Sequence, residues 1–350
     1  MKQMTKIEEA LSFDDVLLVP LYSDLQSRKE VDFSFKLKRL NDITFTLPII
    51  SSPMDTVTET NMAIAMFAAG GLGIIHRYNT IEKQTEMVTE CVQSKCEVGA
   101  AIGVKDDYLT RAARLVNAGA RVICIDIAHG DHILAVNAAR SVRKLFPNIH
   151  IMAGNVATLD GFNLLAGSGA DSIRVGIGGG AICSTRIQTG HGVPTFQSIL
   201  ECSKTDRDAM IIADGGIKTS GDIVKAYAAG ADLVMLGSML AATSDTPGDL
   251  IPIYASVGSD PTYYKSYRGM ASPEAQRAWR GYTSSDEGIS TQIPFKGETK
   301  SIISQIQNRI ESGLSYSGAR TIQELQYKRK FVRQSSAGIN ESSTHIEKIK

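Results

Sequence analysis

Eight short apolar runs, each about as long as one β-strand, recur along the first two thirds of this chain. They are residues 48–51, 71–76, 98–104, 121–128, 150–156, 172–178, 210–215 and 232–238. Segments with helical character lie between them, at 59–69, 80–94, 107–118, 132–146, 159–167 and 220–229. Near-continuously apolar strands that alternate with helices form parallel sheets with helices on the outside. Eight such units within about 200 residues predict an α/β fold of the closed (β/α)8 type, a TIM barrel, rather than an open doubly wound sheet.

Polar or glycine residues follow nearly every one of these runs. They are Ser52 and Met54, His76 and Arg77, Asp126, Asn155, the loop that contains Cys183, Asp214-Gly215-Gly216, and Gly237-Ser238. Any one of them, such as Asn155, is explained well enough as a turn residue. Because active sites of such barrels lie at the carboxyl ends of the strands, their recurrence at the same end predicts a binding site there.

Cys183 lies in a glycine-dense loop, residues 175–186, with the sequence VGIGGGAICSTR. A free cysteine is usually a small buried hydrophobic residue. Here the glycines allow the backbone to approach a ligand closely, and the context favours a reactive thiol. Thr185 and an acid on a flexible segment, Glu287, would suit covalent addition to an electrophilic ring carbon with proton transfer to a leaving group. His191 is more readily interpreted as a loop residue than as a catalytic base, so a papain-type protease is poorly supported.

Two glycine turns, at 214–216 and 236–238, follow the seventh and eighth runs. Barrels commonly bind phosphate on backbone N–H groups at this position, although such turns can also simply open a helix. Asp214 suits the hydroxyl groups of a ribose better than a phosphate. The combination predicts a nucleotide ligand.

Composition narrows the class of protein further. The chain has 37 basic and 37 acidic side chains, which gives no electrostatic case for nucleic-acid binding. Its five cysteines show no paired CxxC spacing, so neither a disulfide framework nor a zinc site is indicated, and we expect a reducing cytoplasm. No signal-peptide pattern or membrane-spanning apolar run is present, and we expect no membrane association.

The chain after the barrel is less regular. Residues 271–298 are polar, lack apolar periodicity and contain Gly281, Gly288 and Gly297, which predicts a mobile flap over the barrel mouth; a plain surface excursion is the alternative. Two short helical segments and a serine-rich tail at 335–350 complete the chain. We therefore expect one catalytic barrel domain over residues 1–350.

Several of these segments also resemble motifs of the IMP dehydrogenase and GMP reductase family, in the family's order and over nearly the whole chain. The matching segments are LSFDDVLL at 11–18, SSPMDTV at 51–57, GLGIIH at 71–76, AGNV at 153–156, the Cys183 loop, ADGGI at 213–217, VMLGSM at 234–239 and YRGM at 267–270. The resemblance implies a homotetrameric barrel in which the Cys183 thiolate adds to C2 of a purine 5′-nucleotide. The regulatory CBS insertion that most dehydrogenases contain is absent, although some dehydrogenases lack it too.

The resemblance also implies roles for individual residues. Substrate contacts fall to Ser52, Met54, Asp214, Gly216, Gly237, Ser238, Tyr267, Gly269 and Met270, with Ala271 as a further candidate at the base. Cofactor contacts fall to Asp126, Asn155 and Arg77, and Ser272 and Arg280 are the candidates for contact with a 2′-phosphate. A potassium ion would be held by the carbonyl oxygens of Gly178, Gly180 and Cys183. Ala181 departs from the family, which usually has serine there, so one phosphate hydrogen bond should be missing unless a neighbouring donor compensates.

The two enzymes of the family differ in how the covalent intermediate is resolved. Dehydrogenases hydrolyse it with a long flap whose Arg-Tyr pair activates water, whereas residues 271–286 are only sixteen long and resemble the reductases. Arg280-Gly281-Tyr282 is a weak substitute for that pair. The tail at 337–345, Tyr267-Arg268-Gly269 and Val57-Thr58-Glu59 resemble the dehydrogenases instead. We expect a GMP reductase that uses NADPH, with an NAD-dependent IMP dehydrogenase as the alternative and a non-catalytic purine-nucleotide-binding protein as a third hypothesis.

Overall fold

The computed structural model describes residues 7–256, 259–283 and 286–342. The strands are β1 Val16–Leu18, β2 Ile49–Ser51, β3 Leu72–Ile75, β4 Val98–Ile102, β5 Val122–Asp126, β6 His150–Val156, β7 Ser172–Val175, β8 Met210–Asp214, β9 Leu233–Leu236, β10 Ile251–Ile253, β11 Thr262–Arg268, β12 Ser290–Pro294 and β13 Phe331–Arg333. The helices are α1 Thr60–Ala68, α2 Ile81–Gln93, α3 Tyr108–Asn117, α4 Ile133–Leu145, α5 Leu159–Gly167, α6 Thr185–Thr189, α7 Thr195–Cys202, α8 Ser220–Ala229, α9 Pro273–Arg280, α10 Thr299–Tyr316, α11 Ile322–Lys328 and α12 Ser336–Glu341.

Strands β2 to β9 form a closed barrel in which every neighbouring pair is parallel. The barrel closes because β2 pairs with both β3 and β9, with Ile50 opposite Leu72 on one side and Met235 on the other. The predicted (β/α)8 barrel is therefore confirmed, and each of the eight predicted runs contains one barrel strand. No regulatory domain is inserted between its units.

The helices begin where the sequence provides capping side chains. Thr80 accepts a hydrogen bond from the backbone N–H of Lys83 at the start of α2, and Thr158 and Thr219 cap α5 and α8 in the same way. Glycine allows close packing of helix on strand: a Cβ at Gly73 in β3 would lie 2.5 Å from the Ala63 Cα of α1. These contacts fix the position of each strand's carboxyl end.

Two apolar layers hold the barrel together. One fills the barrel itself, and the other lies between the strands and the surrounding helices. The amino-terminal end of the barrel is closed by Leu37, Leu40 and Phe45, which are almost fully buried and belong to the interior layer. Because this end is plugged, a ligand can enter the barrel only from the carboxyl end.

The segments outside the barrel are more regular than the sequence predicts. Strands β10, β11 and β12 form an antiparallel sheet, and β1 pairs with β13. The stretch 271–298, expected to be irregular, contains α9 and β12; its residues 284–285 lie outside the described part. The expected pair of short helices includes the 18-residue α10. The tail contains α12, and residues 343–350 lie outside the description. None of the described helices has the length and apolar character needed to cross a membrane.

Candidate active site

A cavity of about 630 Å³ opens at the carboxyl ends of the barrel strands. It is lined by loops that follow the strands, by the end of β11 and by the α9 segment. The predicted site residues in its wall are Ser52, Met54, Arg77, Asp126, Asn155, Gly178, Gly180, Cys183, Thr185, Asp214, Gly216, Gly237, Ser238, Tyr267, Gly269, Met270 and Glu287. Residues separated by more than 200 positions in the sequence thus meet around one cavity of a size suited to small ligands.

Cys183, Thr185 and Glu287 form a continuous hydrogen-bonded series. The Cys183 thiol donates to Thr185 Oγ1 over 3.2 Å, and the Thr185 hydroxyl donates to Glu287 Oε2 over 2.9 Å. A carboxylate, a hydroxyl and a thiol in this order can move a proton to or from a group held beside the sulfur. The arrangement therefore suits a cysteine nucleophile served by a distant acid.

Backbone pairing explains why Glu287 reaches a residue more than 100 positions earlier. Cys183 and Gly288 form an antiparallel bridge, and the Ser184 N–H donates to the Glu287 carbonyl over 3.0 Å. The Ile289 N–H donates to the Ile182 carbonyl, also over 3.0 Å. The carboxyl-terminal half of the 271–298 segment is thus attached to the cysteine loop by main-chain hydrogen bonds.

The opposite end of the cavity is built by the two glycine turns. Gly215 and Gly216 have φ angles of 87° and 78°, a conformation that favours glycine and exposes backbone N–H groups to an anion. A Cβ at Gly237 would lie 3.3 Å from both the Tyr267 hydroxyl and Met54 Sδ. Burial, together with the charge of Asp214, raises the pKa of Tyr267, so its phenol remains a neutral hydrogen-bond donor.

A chain of charges joins the ribose and cofactor sides of the cavity. Arg174 donates to Asp126 over 2.7 Å and to Asp214 over 2.9 Å, and Asn155 donates to the same Asp214 oxygen over 2.8 Å. Burial opposes ionisation of Asp126, but Arg174 and Arg77 outweigh it and lower the pKa of that carboxyl. Asp126 is consequently held as a carboxylate, and the hydrogen bonds from Arg174 fix the positions of both Asp126 and Asp214.

Arg174 is a site residue that the sequence interpretation missed. It lies within β7, is 7% exposed and lines the cavity. An arginine between the apolar residues Ile173 and Val175 was the available signal, because a buried guanidinium needs acidic partners close by.

The two predicted methionines, Met54 and Met270, belong to segments that contact each other. Asp55 follows Met54 in the chain, and its N–H lies 3.4 Å from Met270 Sδ. Arg268 Nε donates to Asp55 Oδ2 over 2.9 Å. This pair joins the loop after β2 to the end of β11, which places the two thioethers in one wall.

Helix α9 packs against the loop after β3 through aromatic and cationic groups. The rings of Trp279 and Tyr78 lie 4.7 Å apart, and the Arg77 guanidinium is 5.0 Å from the Tyr78 ring. The Arg280 guanidinium lies 4.3 Å from the Trp279 ring. Ser272, a predicted cofactor contact, is not in the cavity wall; it is fully buried and caps α9 by accepting from the Ala275 N–H.

Potassium binding by the cysteine loop stays a prediction. The Gly180 carbonyl accepts a hydrogen bond from the Cys183 N–H over 3.1 Å, and Gly178 has a φ of 77°. Within the described residues no group of three or more His, Cys, Asp or Glu side chains could hold a metal ion. Any cation in this loop would depend on backbone oxygens, the ligands that hard cations prefer.

Comparison with known proteins agrees with this geometry. A model of the IMP dehydrogenase / GMP reductase domain matches residues 10–345. The chain is 32% identical to the inosine-5′-monophosphate dehydrogenase of Nitrosopumilus maritimus, covering 97% of the chain and 99% of the relative. It is 30% identical to the GMP reductase of Leishmania major, covering 97% of each.

A solved structure with a TM-score of 0.90 and 29% identity covers 98% of this chain and 99% of its own. It is a GMP reductase of Trypanosoma brucei in which a cysteine is replaced by alanine, in complex with guanosine 5′-monophosphate. The alignments with the Nitrosopumilus and Leishmania proteins run over 478 and 486 positions, so each relative has many positions without a counterpart in this 350-residue chain. Since this holds for a dehydrogenase and for a reductase, the shorter length of this chain does not separate the two activities. With the family model covering almost the whole sequence, the chain belongs to the IMP dehydrogenase / GMP reductase family.

Proposed function

We propose that this protein is a GMP reductase, which converts GMP to IMP and ammonia with NADPH as the reductant. The family consists of oxidoreductases that use nicotinamide nucleotides. The observation that carries the proposal is the hydrogen-bonded series from Cys183 through Thr185 to Glu287. Removal of an amino group requires a proton donor beside the reacting carbon, and this series provides one.

The chain's own residues account for the deamination. The Cys183 thiolate forms a bond to C2 of the purine, and a ring nitrogen takes up a proton. Glu287 then delivers a proton through the Thr185 hydroxyl to the C2 amino group, the C–N bond breaks and ammonia leaves. NADPH, when bound, supplies a hydride to C2. Cleavage of the C–S bond and loss of the proton from the ring nitrogen then release IMP and regenerate the Cys183 thiolate.

The other half of the cavity fits a nicotinamide nucleotide. Asp126 and Asn155 line it with polar groups, and the guanidinium groups of Arg77 and Arg280 lie in the same wall. Guanidinium groups are well suited to binding phosphate, so Arg280 is a better candidate than Ser272 for contact with a 2′-phosphate. The buried Ser272 has no direct approach to a ligand in this conformation.

An IMP dehydrogenase is the second candidate, supported by the several curated relatives with that name. Hydrolysis of the same intermediate needs a base that activates water beside the sulfur. Arg280 lines the cavity, but its guanidinium stacks on Trp279, and Tyr282 is 61% exposed. This arrangement supports the reductase over the dehydrogenase, since the Arg280 guanidinium is stacked on Trp279 and most of the Tyr282 side chain faces solvent.

The deciding experiment is absorbance at about 340 nm, where reduced nicotinamide absorbs. Purified protein is mixed once with GMP and NADPH, and once with IMP, NAD and potassium. Loss of signal in the first mixture, with IMP and ammonia formed, supports the reductase. Growth of signal in the second, with XMP released, would establish the dehydrogenase instead. Tight nucleotide binding without turnover in either mixture would support the third hypothesis, a non-catalytic purine-nucleotide-binding protein.

The proposal extends to a homotetramer in the cytoplasm that holds potassium on the carbonyls of Gly178, Gly180 and Cys183. Sedimentation of the purified protein measures the oligomeric state. Turnover in potassium and in a larger organic cation tests the ion, and equal rates in both would exclude a potassium requirement.

A further inference from the structure

Thr195 has a buried hydroxyl for which neither the sequence motifs nor the reaction provides a role. Thr195 is the first residue of α7, lines the cavity and is 4% exposed. Within the described part of the chain, Thr195 Oγ1 has no hydrogen-bond partner. Because buried polar groups in native proteins are almost always paired, such a hydroxyl calls for a partner that the protein itself does not supply.

The position of this oxygen indicates which partner that is. A Cβ at Gly179 would lie 2.5 Å from Thr195 Oγ1, and a Cβ at Gly216 would lie 3.3 Å from it. The hydroxyl therefore lies where the cysteine loop meets the turn after β8. Gly216 is the residue whose backbone the sequence predicts to contact phosphate, so Thr195 adjoins the phosphate end of the cavity.

The charges around this end favour an anion. Pro194 and Thr195, at the amino-terminal end of α7, form part of the cavity wall, and no side chain caps that helix end. The positive end of the helix dipole therefore faces the cavity. Lys218 lines the same cavity and is paired with Asp14 over 2.6 Å. The remaining nearby carboxylate, Asp214, is paired with Arg174.

We propose that Thr195 donates its hydroxyl hydrogen to the 5′-phosphate of the bound purine nucleotide. This inference rests on the proposed function only in requiring a nucleoside monophosphate as substrate. The backbones of Gly179 and Gly216 cover Thr195 Oγ1 in this structure. For the phosphate to reach the hydroxyl, the cysteine loop and the turn after β8 must move slightly apart, and the absence of Cβ atoms on the two glycines permits this movement. Ala181, in the same wall, has no hydroxyl, and Thr195 supplies the donor that position 181 lacks.

The test compares binding of GMP and of guanosine, which lacks the phosphate, by isothermal titration. Thr195→Val keeps the shape of the side chain and removes the hydroxyl, and Thr195→Ser keeps the hydroxyl. We expect Thr195→Val to bind GMP roughly 10- to 100-fold more weakly, the usual effect of losing a hydrogen bond to a charged group, with guanosine unchanged. Thr195→Ser should bind GMP within about threefold of the wild-type protein.

Ser198 provides the matched control. Its hydroxyl is also buried and unpartnered within the described residues, and it lies one turn further along α7, outside the cavity wall. Ser198→Ala should leave both affinities unchanged. Because the Thr195 hydroxyl is unpaired without ligand, Thr195→Val should unfold at the same temperature as the wild type or higher. A folded Thr195→Val protein therefore separates loss of a contact from loss of structure.

Either of two results would overturn the inference: undiminished GMP affinity in Thr195→Val, or an equal loss for GMP and guanosine. Parallel titrations with IMP and inosine keep it distinct from the proposed function. If the protein proves to be a dehydrogenase, a loss confined to the phosphorylated ligands still supports the role of Thr195. If the wild type binds neither GMP nor IMP, both the inference and the proposed function fail.

Discussion

At the scale of single residues, the environment of each thiol decides which cysteine can react. Cys183 is half-buried in the cavity wall, whereas the other four cysteines are buried. Burial raises the pKa of Cys124 and Cys202 to about 12. At pH 8 only about one in ten thousand of such thiols is ionised, and the thiolate is the nucleophile.

We therefore predict that limiting iodoacetamide modifies Cys183 before any other cysteine. Activity should fall in step with the modified fraction, and saturating GMP should protect the thiol because the nucleotide covers it. Peptide mass spectrometry of the treated protein measures the modified fraction of each cysteine with and without GMP, and an activity assay of the same samples gives the remaining activity. Modification of Cys202 at the same rate as Cys183 would show that accessibility and ionisation are not what distinguish the two.

Glu287→Gln is predicted to separate the two halves of the reaction. The amide can still accept a hydrogen bond from Thr185 but cannot donate a carboxylic proton, so ammonia release should slow by about 10²-fold or more. Hydride transfer to an intermediate already formed should slow much less. Rapid quench of a single turnover with GMP and NADPH measures the rate of ammonia release. NADPH formation from IMP and NADP⁺ measures the hydride step in reverse, without ammonia and therefore independently of its release. Equal slowing of both would reject Glu287 as the proton donor.

The sequence was informative about individual residues where a motif places them at the end of a strand. Cys183, Asp126 and Asp214 were predicted on that basis, and all three line the cavity. Arg174 and Thr195 were missed because their importance depends on partners brought close only by folding: two acids in one case and two glycine backbones in the other. An arginine within a strand signals that Arg174 needs acidic partners, but no local pattern in the sequence identifies which residues those partners are.

At the scale of secondary-structure elements, the barrel strands were predictable and the α9 segment was not. Each barrel strand lies within an apolar run of strand length, which can be recognised from the sequence without knowing the fold. Helix α9 is short and mostly polar, so apolar periodicity alone does not predict it. Its boundary signals were present, however: Ser272 caps the helix, Pro273 follows at the first position, and Gly281 ends it with a φ of 78°.

The docking of α9 can be followed directly, because Trp279 is the single tryptophan of the chain. Its ring contacts Tyr78 and Arg280, both adjacent to the proposed cofactor half of the cavity. We predict that saturating NADP⁺ changes the intensity or wavelength of tryptophan emission, and that Trp279→Phe abolishes the signal. Unchanged emission, with binding verified by equilibrium dialysis, would mean that the cofactor does not reach this helix.

At the scale of the whole molecule, the two ends of the barrel have separate tasks. The carboxyl end holds the cavity, while the amino-terminal end is closed by buried apolar residues and a group of charged contacts. There Asp171 pairs with Arg39 over 2.9 Å and also with Arg143. Substitutions at this end should change stability while leaving catalysis intact, since none of these residues lines the cavity.

His150 makes this end sensitive to acid. The imidazole is fully buried, and its Nδ1 lies 3.0 Å from the Lys38 carbonyl oxygen while Nε2 lies 2.8 Å from Ser172 Oγ. A carbonyl oxygen can only accept, so Nδ1 holds the proton and Nε2 accepts from the Ser172 hydroxyl. Burial lowers the pKa of His150 to about 4, even though the nearby Asp171 charge raises it.

The sign of the effect follows from linkage. The unfolded chain binds a proton at His150 near its ordinary pKa of about 6.5, whereas the folded chain binds it only near 4. Stability from the neutral imidazole is therefore complete above pH 6.5 and is lost as the pH falls toward 4. Burial raises the pKa of Asp232 to about 6, which acts in the opposite direction over part of this range. A comparison of variants is needed to isolate His150.

We predict that His150→Gln reduces the loss of unfolding free energy between pH 7 and pH 5 by about 1–2 kcal/mol relative to the wild type. Asp232 contributes equally to both proteins and cancels in that difference. Ser172→Ala is the control, because it breaks the same hydrogen bond but retains a titrating imidazole, and its pH dependence should follow the wild type. Urea unfolding at the two pH values measures all three proteins. Parallel pH dependences in His150→Gln and the wild type would show that acid destabilisation originates elsewhere in the barrel.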